Sequence, residues 1–238
     1  MQEGVRAYVR SPAAALSTLL GGVAVGVVVV AGIRVALAVG DLEALDNPMF
    51  LGGFGPLLYG VVLALGVAAV AVVWLPFGAA VAYAVGRGVR DGRASVGETA
   101  TATLDASEPL YRWVRTRAAV GPLAERVLTE DDVASTEVAA GCARYVVPAA
   151  VLDAPALPGA VERANRVTPR PGRERVPLAC AAVFGALAIG SYVVDPGGLG
   201  VVLALGVGVV GCVLAAALDT AWRAGVYATQ DLSEGFVR

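Results

Sequence analysis

Four stretches of the chain are apolar and long enough to cross a lipid bilayer as helices. The first, residues 13–39, is interrupted only by Arg34, and the uncharged part before that arginine has 21 residues. The second, residues 56–85, has 30 residues without a charge, and residues 176–194 and 199–218 add uncharged runs of 19 and 20. A helix rises about 1.5 Å per residue and the hydrocarbon core is about 30 Å thick, so about 20 residues are enough to cross it. The pattern predicts four membrane spans.

Proline and glycine between and within these stretches predict how the spans bend and pair. The third and fourth spans are separated only by Asp195-Pro196-Gly197-Gly198, where the fixed φ of proline and the freedom of glycine favour a tight turn. We therefore expect an antiparallel hairpin, packed along most of its length, with Gly206 and Gly208 near the contact because small residues let helices approach closely. Pro76 lies inside the second span and predicts a kink there.

The distribution of arginine predicts the orientation of the spans. All 18 cationic residues are arginines: segment 1–12 carries two, segment 86–175 carries thirteen and segment 219–238 carries two. The connections 40–55 and 195–198 carry none, yet they hold four carboxylates. Loops on the cytoplasmic side of membrane proteins are enriched in Lys and Arg. The sequence therefore predicts a multi-pass protein of the plasma membrane with both termini and the central segment in the cytoplasm.

The central segment, 86–175, is mixed in character. Residues 86–107 are polar and predict a surface connection with a short helix, whereas 108–128 alternate apolar and arginine positions at helical spacing, which favours an amphipathic helix at the membrane surface. Residues 138–152 are mostly apolar but too short to form an independent span, so they predict a re-entrant or bundle-buried helix. Residues 153–175 carry five arginines and are therefore expected on the cytoplasmic side. Between 108 and 152 the chain then crosses the membrane either not at all or twice. The fold class is thus an all-α transmembrane bundle, a single membrane domain over residues 1–238 with four or six membrane helices.

Two stretches resemble a known group of membrane proteins. Residues 144–153, RYVVPAAVLD, are followed by the amphipathic 160–164, and residues 216–236 contain Tyr227-Ala228 and Glu234-Gly235-Phe236. They are similar to the aromatic-x-x-Pro helix end with its acidic residue, and to the closing element, of polytopic membrane families of bacteria and archaea related to the membrane domain attached to some glycerophosphodiester phosphodiesterases. The resemblance covers about the last hundred residues and implies about six membrane helices. It departs where those families have a Ser after residue 164 and a Pro near residue 233, and it implies no catalytic residues.

The composition is typical of a membrane protein and excludes several kinds of catalytic and metal-binding site. Hydrophobic residues make up 57% of the chain and charged residues 16%, and there is no His and no Lys. A histidine base, a histidine-ligated metal, a Schiff-base lysine and a Ser-His-Asp triad are therefore excluded. The cysteines, Cys142, Cys180 and Cys212, are widely separated and are typical of small core residues. We predict no catalytic, metal or cofactor-binding residue and no cofactor.

Five polar residues are the candidate positions for function or for structure. Arg34 lies in a span, where a guanidinium is costly unless it is paired or reaches the headgroups; its position near the far end favours the second interpretation. Asp219 is expected to pair with Arg223 one turn later. Asp153 follows an apolar helix that contains Arg144. It could help to bind a cation or substrate, but we favour a helix-end residue or the N-cap of a helix that begins near residue 158.

The arginines just before the third span indicate the partners. This basic patch lies at a membrane boundary and predicts attraction to the bilayer through anionic lipid headgroups, and without interleaved aromatic residues it gives no support for nucleic-acid binding. The central residues 108–175 are the predicted surface for a protein partner. The patch consists of Arg163, Arg166, Arg170, Arg173 and Arg175.

We consider three functions, a scaffold or accessory subunit, a transporter or channel, and a membrane enzyme, and rank them by the polar residues available for each. A transporter or channel needs polar or ionisable groups at mid-depth, and the spans offer only Ser17, Thr18 and Ser191, all near ends. A membrane enzyme would need paired carboxylates that face one site, and only Asp153 stands near apolar sequence. We therefore predict a non-enzymatic scaffold or accessory subunit, with a small transporter or channel as the alternative.

Overall fold

The computed structural model describes residues 2–40, 55–118, 138–139, 141–153, 156–168 and 175–235. These residues form an all-α bundle, and none of them lies in a strand. The predicted fold class is therefore confirmed. The helices of the described part are α1 (Gln2–Arg10), α2 (Pro12–Gly40), α3 (Gly55–Arg90), α4 (Val96–Asp105), α5 (Ser107–Ala118), α6 (Val146–Leu152, preceded by the 3-10 turn Ala143–Tyr145), α7 (Leu157–Arg166), α8 (Arg175–Val194) and α9 (Leu199–Gly235).

Four of these helices, α2, α3, α8 and α9, are long and apolar enough to cross a membrane. Two of them are much longer than a bilayer requires, since α3 has 36 residues and α9 has 37. At about 1.5 Å per residue each is about 55 Å long, against about 30 Å of hydrocarbon. Both therefore continue beyond the apolar stretches 56–85 and 199–218, to Arg90 and Gly235.

The spans pack as two antiparallel pairs. α2 packs on α3, α8 packs on α9, and contacts between α3 and α9 hold the pairs together. The connection between α8 and α9 is the predicted tight turn. In it the Asp195 carboxylate accepts hydrogen bonds from the backbone N–H groups of Gly197 at 3.2 Å and Gly200 at 3.0 Å, and Gly198 has a φ of +58°. The prediction of an antiparallel hairpin is confirmed.

Helices α8 and α9 make a close contact at Gly211, which is not one of the two glycines expected from the sequence. A Cβ added to Gly211 would lie 2.2 Å from Cβ of Phe184, so only glycine allows the two helices to approach there. A Cβ on Gly208 would lie 4.0 Å from Cβ of Ala188, in ordinary contact, and a Cβ on Gly206 would meet nothing within 4 Å. The prediction was therefore wrong for Gly206, because spacing along one helix does not reveal where a large side chain of its partner lies.

Large apolar side chains cover the outer surface of the four spans. They are exposed because no protein packs on them, as expected of helices whose neighbour is lipid rather than water. Typical examples are Leu19, Val23 and Val27 on α2, Leu63, Leu65 and Val67 on α3, Val183, Leu187 and Ile189 on α8, and Val202, Leu203 and Val210 on α9.

The buried core lies at one end of the bundle, where α2 begins and α3 and α9 end. We call this the basic end and define it as residues 2–14, 79–118, 141–153, 156–168 and 213–235. Here the long helices α3 and α9 leave the apolar region and are surrounded by α1 and by α4 to α7. Its largest fully buried side chains include Val81, Val85, Tyr145, Val146 and Leu157.

The central segment is helical at the basic end and does not form a span in its described part. Helix α4 is the short helix expected in the polar connection, and its capping box is complete: Ser95 Oγ accepts from Glu98 N–H, and the Glu98 carboxylate accepts from Ser95 N–H. Helix α5 covers the first half of the predicted amphipathic helix 108–128, and the rest lies outside the described residues.

The apolar stretch that ends at residue 152 is buried against protein. The turn Ala143–Tyr145 and α6 together have ten residues, about 15 Å, which is half the thickness of the hydrocarbon core. This segment packs on α3 and α7, and most of its side chains are buried. Of the alternatives for 138–152 the bundle-buried helix is thus observed, and no helix of the described part between 107 and 152 is long enough to cross.

Candidate functional site

A buried ion pair connects the last residue of α3 to the end of α6. Asp153 ends α6, where its backbone N–H donates to the carbonyl of Ala149. Nη1 and Nη2 of Arg90 donate to Oδ1 and Oδ2 of Asp153 at 2.6 and 2.7 Å, so the contact is bidentate. Only 13% of the Arg90 side chain and 14% of the Asp153 side chain are exposed. Residues 63 positions apart are thereby fixed to each other in a largely buried part of the basic end.

Two further side chains complete this group, which we call the Asp153 cluster: Asp153, Arg90, Tyr227 and Arg163. The hydroxyl of Tyr227, on α9, donates a hydrogen bond to Asp153, and the Arg90 guanidinium lies 5.7 Å from the centre of the Tyr227 ring. Nη1 of Arg163, on α7, lies 3.9 Å from Oδ1 of Asp153 and is half exposed. The cluster therefore joins α3, α6, α7 and α9 through one carboxylate.

These neighbours decide the charge of Asp153. Burial by itself raises the pKa of the Asp153 carboxyl, but the hydrogen bonds and charge of Arg90, helped by Tyr227 and Arg163, outweigh it and hold the pKa below its ordinary value. The carboxylate is thus anionic at neutral pH and both of its oxygens are engaged. Such a group is a weak base, and its chemistry is that of a fixed structural anion.

The sequence found Asp153 but not its partner. Of its interpretations, the helix-end residue is confirmed, while the N-cap of the next helix is wrong, because α7 is preceded by Ala156 with no side-chain cap. Arg90 was missed because the predicted span stops with the apolar run at residue 85, whereas α3 continues to Arg90. Had the helix been continued, Gly86 and Ala82, four and eight positions before it, would have placed Arg90 on a face of small residues.

Arg144 takes part in a second group of cationic and aromatic side chains. Its guanidinium lies 5.5 Å from the centre of the Tyr145 ring and 5.7 Å from that of Trp222, and its Nε donates to the carbonyl of Gly141 at 2.9 Å. Trp222 is 2% exposed, and its Nε1–H has no hydrogen-bond acceptor among the described residues. Arg144 is therefore a packing residue of the basic end, close to α9 rather than to a lipid-facing surface.

The remaining candidate positions lie apart from the Asp153 cluster. Asp219 and Arg223 form the expected ion pair on α9 and are partly exposed. Arg34 is exposed on α2, six residues before that helix ends, and the carboxylates at 41 and 43 lie outside the described residues. Headgroup contact by Arg34 thus stays a prediction. The structure brings Asp153, Arg144, Asp219 and Arg223 to the basic end and leaves Arg34 toward the other end.

The described part of the basic patch is on the surface. Arg163 and Arg166 of α7 are exposed, and Arg166 pairs with Glu162 one turn earlier. The rest of the predicted patch lies outside the described residues, except for the backbone of Arg175, which begins α8. Binding to anionic headgroups through this patch stays a prediction.

Hydroxyl groups in the described parts of the spans are satisfied by their own helices. Ser17 donates to the carbonyl of Ala13 at 2.9 Å and Ser191 to that of Leu187 at 2.9 Å. Thr18 donates to its own helix as well and accepts from the Tyr8 hydroxyl of α1 at 2.9 Å. Residues 2–40, 55–118 and the later described ranges contain no group of three or more His, Cys, Asp and Glu side chains that could hold a metal ion.

No protein-family model, no curated protein and no solved structure matches this chain. Its function is therefore inferred from its own fold and side chains.

Proposed function

We propose that this protein is a non-enzymatic scaffold or accessory subunit of the plasma membrane, which uses four spans to hold a helical unit at the membrane surface and binds a protein partner with that unit. The observation that carries the proposal is the position of the buried core. It lies at the basic end, around the Asp153 cluster and the adjoining ends of the spans, and not along the rest of their length. A rigid unit at one end of the spans serves binding better than passage through the membrane.

The arginines support a cytoplasmic position for this unit. Among the described residues Arg34 is the one arginine that lies toward the opposite end of the bundle. The positive-inside bias then places the basic end, and with it both termini, in the cytoplasm. The turn at 195–198 would lie on the other side.

The state of the polar groups argues against catalysis and against transport. Asp153 is paired with Arg90 through both oxygens and its pKa is lowered, so it is a weak base for taking a proton from a substrate. The span hydroxyls Ser17, Thr18 and Ser191 bond to their own helices instead of lining a path at mid-depth. These observations favour the scaffold over the transporter or channel.

The exposed face of α5 is the proposed partner surface. Tyr111 is 66% exposed there, and the Arg117 guanidinium lies 4.3 Å from the centre of the Trp113 ring, which is itself buried. Exposed tyrosine and arginine are the side chains enriched at protein interfaces. With Arg112, Arg115 and Arg117 against Glu108, helix α5 carries a net positive charge, so we expect an acidic segment of a partner protein to bind it.

Site-specific photo-crosslinking in intact membranes tests this proposal. A photoreactive residue at Tyr111 is compared with one at Leu104 on α4, which is 71% exposed and serves as the matched control. We expect a discrete adduct with one protein at position 111, none at 104, and loss of the adduct when Arg112 and Arg117 are both changed to Glu in a variant of unchanged thermal stability. Equal labelling at both positions would contradict the partner surface.

A vesicle assay separates the scaffold from the transporter. Purified protein reconstituted into liposomes should leave the flux of ions and small solutes at the level of protein-free liposomes. Solute flux that rises in proportion to the protein content would replace the scaffold by the transporter.

A further inference from the structure

A cleft opens at the basic end, on the side where α1 meets the start of α2. Its volume is about 1180 Å³, and its walls come from α1, the α1–α2 junction, the last turns of α3, the segment before α4 and Thr229 of α9. Small residues, Ala7, Ala84 and Gly88, form part of the wall, so the described residues that line the space leave it open. The Asp153 cluster lines no part of it.

The charged residues of this cleft are mostly cationic. Arg6, Arg10 and Arg93 line it together with one carboxylate, Glu3, which leaves a net charge of three minus one, or +2. All three arginines are exposed, and they come from two separate parts of the chain, since Arg10 ends α1 and Arg93 follows α3. Folding therefore concentrates positive charge around a cavity, which is a different arrangement from an evenly charged helix face.

The location of the cleft relates it to the membrane surface. Pro12, the first residue of the span α2, and Ser11 before it are part of the lining. Ala84 lies at the end of the apolar run 56–85 and Val89 lies beyond it, so we expect the cleft at the level where headgroups meet water.

We propose that this cleft binds a phosphate ester. Planar guanidinium groups bind phosphate oxygens in a bidentate manner, and three of them on one cavity provide more donors than one phosphate needs. The cavity is far larger than a phosphate ion, and its small apolar wall leaves room for a glycerol-sized polar body beside the phosphate. Gly92, with a φ of +95° and open space where a Cβ would be, keeps the turn before Arg93 free of a side chain.

The phosphate ester has two sources, the headgroup of an anionic phospholipid and a soluble ester of the same chemistry. Both are probed with the full-length protein in a neutral detergent. Phosphatidic acid is added in one arm and retained lipid is counted by native mass spectrometry. Glycerol 3-phosphate is added in the other arm and its binding is measured by calorimetry.

The cleft variant changes Arg6, Arg10 and Arg93 to Gln. A control variant changes the net charge equally but outside the cleft, at Arg112, Arg115 and Arg117 of α5. We expect the cleft variant to lose roughly tenfold in affinity for each arginine that contacts the phosphate, and the control to stay within about twofold of the wild type. Unchanged melting temperatures in detergent establish that both variants are folded, and Arg93→Gln alone provides a milder test.

The outcomes decide the proposal and identify the source. Binding in the lipid arm that the cleft variant loses supports a headgroup site, and binding in the calorimetric arm that it loses supports a soluble ester. The proposal is overturned if neither probe binds the wild type, or if the control loses as much affinity as the cleft variant, because binding would then follow overall charge and not the cavity. The proposed scaffold function is unaffected by these results.

Discussion

At the residue scale, the Asp153 cluster shows how a charge is retained in a buried position. A buried ion pair often contributes little net stability compared with an apolar pair, because both charges lose hydration. Removing only one member is strongly destabilising, because the other charge then stays buried without its counter-ion. Arg90 and Asp153 are each less than 15% exposed and share two hydrogen bonds. The stability of the basic end therefore depends on both being present.

Replacing Asp153 with Asn is expected to destabilise the protein. The amide retains the shape of the carboxylate but leaves the Arg90 charge without a counter-ion, which should cost roughly 2–4 kcal/mol of the free energy of unfolding. The matched control is Glu162→Gln, which removes a carboxylate from an exposed pair with Arg166 and should cost less than about 1 kcal/mol. Unfolding in mixed detergent micelles measures both. Equal losses for the two variants would refute the buried role of Asp153.

The stability provided by Asp153 should depend on pH in the acidic range only. Its carboxyl has a lowered pKa in the folded protein, so the unfolded chain takes up the proton first as pH falls. The contribution is then complete above the unfolded pKa of about 4 and is lost as pH falls through the lower folded pKa. The difference in stability between wild type and Asp153→Asn should stay constant from about pH 8 to pH 5 and shrink below about pH 4. A difference that fades already near pH 6 would indicate a raised pKa instead.

At the element scale, close helix packing depends on single glycines that face large side chains. Gly211 of α9 accommodates Phe184 of α8, and Gly225 of α9 accommodates α1, where a Cβ would lie 2.7 Å from Cα of Gly4. Other glycines on the same helices face open space, as Gly206 does. The glycine content of a span therefore overstates the number of positions at which glycine is required.

A pair of alanine variants separates these two kinds of glycine. Gly211→Ala forces a Cβ against Phe184, so α8 and α9 must move apart, and we expect a loss of roughly 1–3 kcal/mol. Gly206→Ala adds a methyl group toward open space and should be neutral or slightly stabilising, because alanine favours the helix. Thermal unfolding in one detergent compares them. A Gly206→Ala protein that is as unstable as Gly211→Ala would show that Gly206 also has a contact.

At the scale of the whole molecule, two lengths determine the shape. Helix α8, with 20 residues, matches the bilayer thickness and α2, with 29, exceeds it by about 14 Å, whereas α3 and α9 exceed it by roughly 25 Å. The last turns of α3 and α9 lie at the basic end, where α1 and α4 to α7 pack around them. The protein thus has a lipid-facing part with few buried side chains and a compact part with most of them.

We predict that the basic end faces the cytoplasm and that the turn between α8 and α9 lies on the other side of the membrane. In a background without Cys142, Cys180 and Cys212, a cysteine at Gly97 should be labelled by a membrane-impermeant reagent only after permeabilisation, because the basic end is expected in the cytoplasm. A cysteine at Pro196, in the turn between α8 and α9, should be labelled in intact cells. Both residues are exposed, so accessibility within the fold does not differ between them. The reverse labelling pattern would invert the topology.

The sequence by itself determined the fold class, the four long apolar helices and the α8–α9 turn. These features are local: a span is decided by some twenty consecutive residues, and the turn at 195–198 by the backbone limits of proline and glycine. The ion pair of Asp219 and Arg223 is local as well, since one helical turn separates the two residues. Such features can be read along the chain without knowing its neighbours.

Only the tertiary structure decided which residues distant in sequence contact each other. Asp153 is recognisable as a helix-end residue, but its partner Arg90 is 63 residues away and looked like one of several surface arginines. The glycine that matters in the hairpin, Gly211, is selected by the position of Phe184 on the other helix. The cleft between α1 and α3 likewise exists because segments distant in sequence leave a space between them. Contacts of this kind depend on the register and angle of packed helices, which the spacing of residues along one helix leaves open.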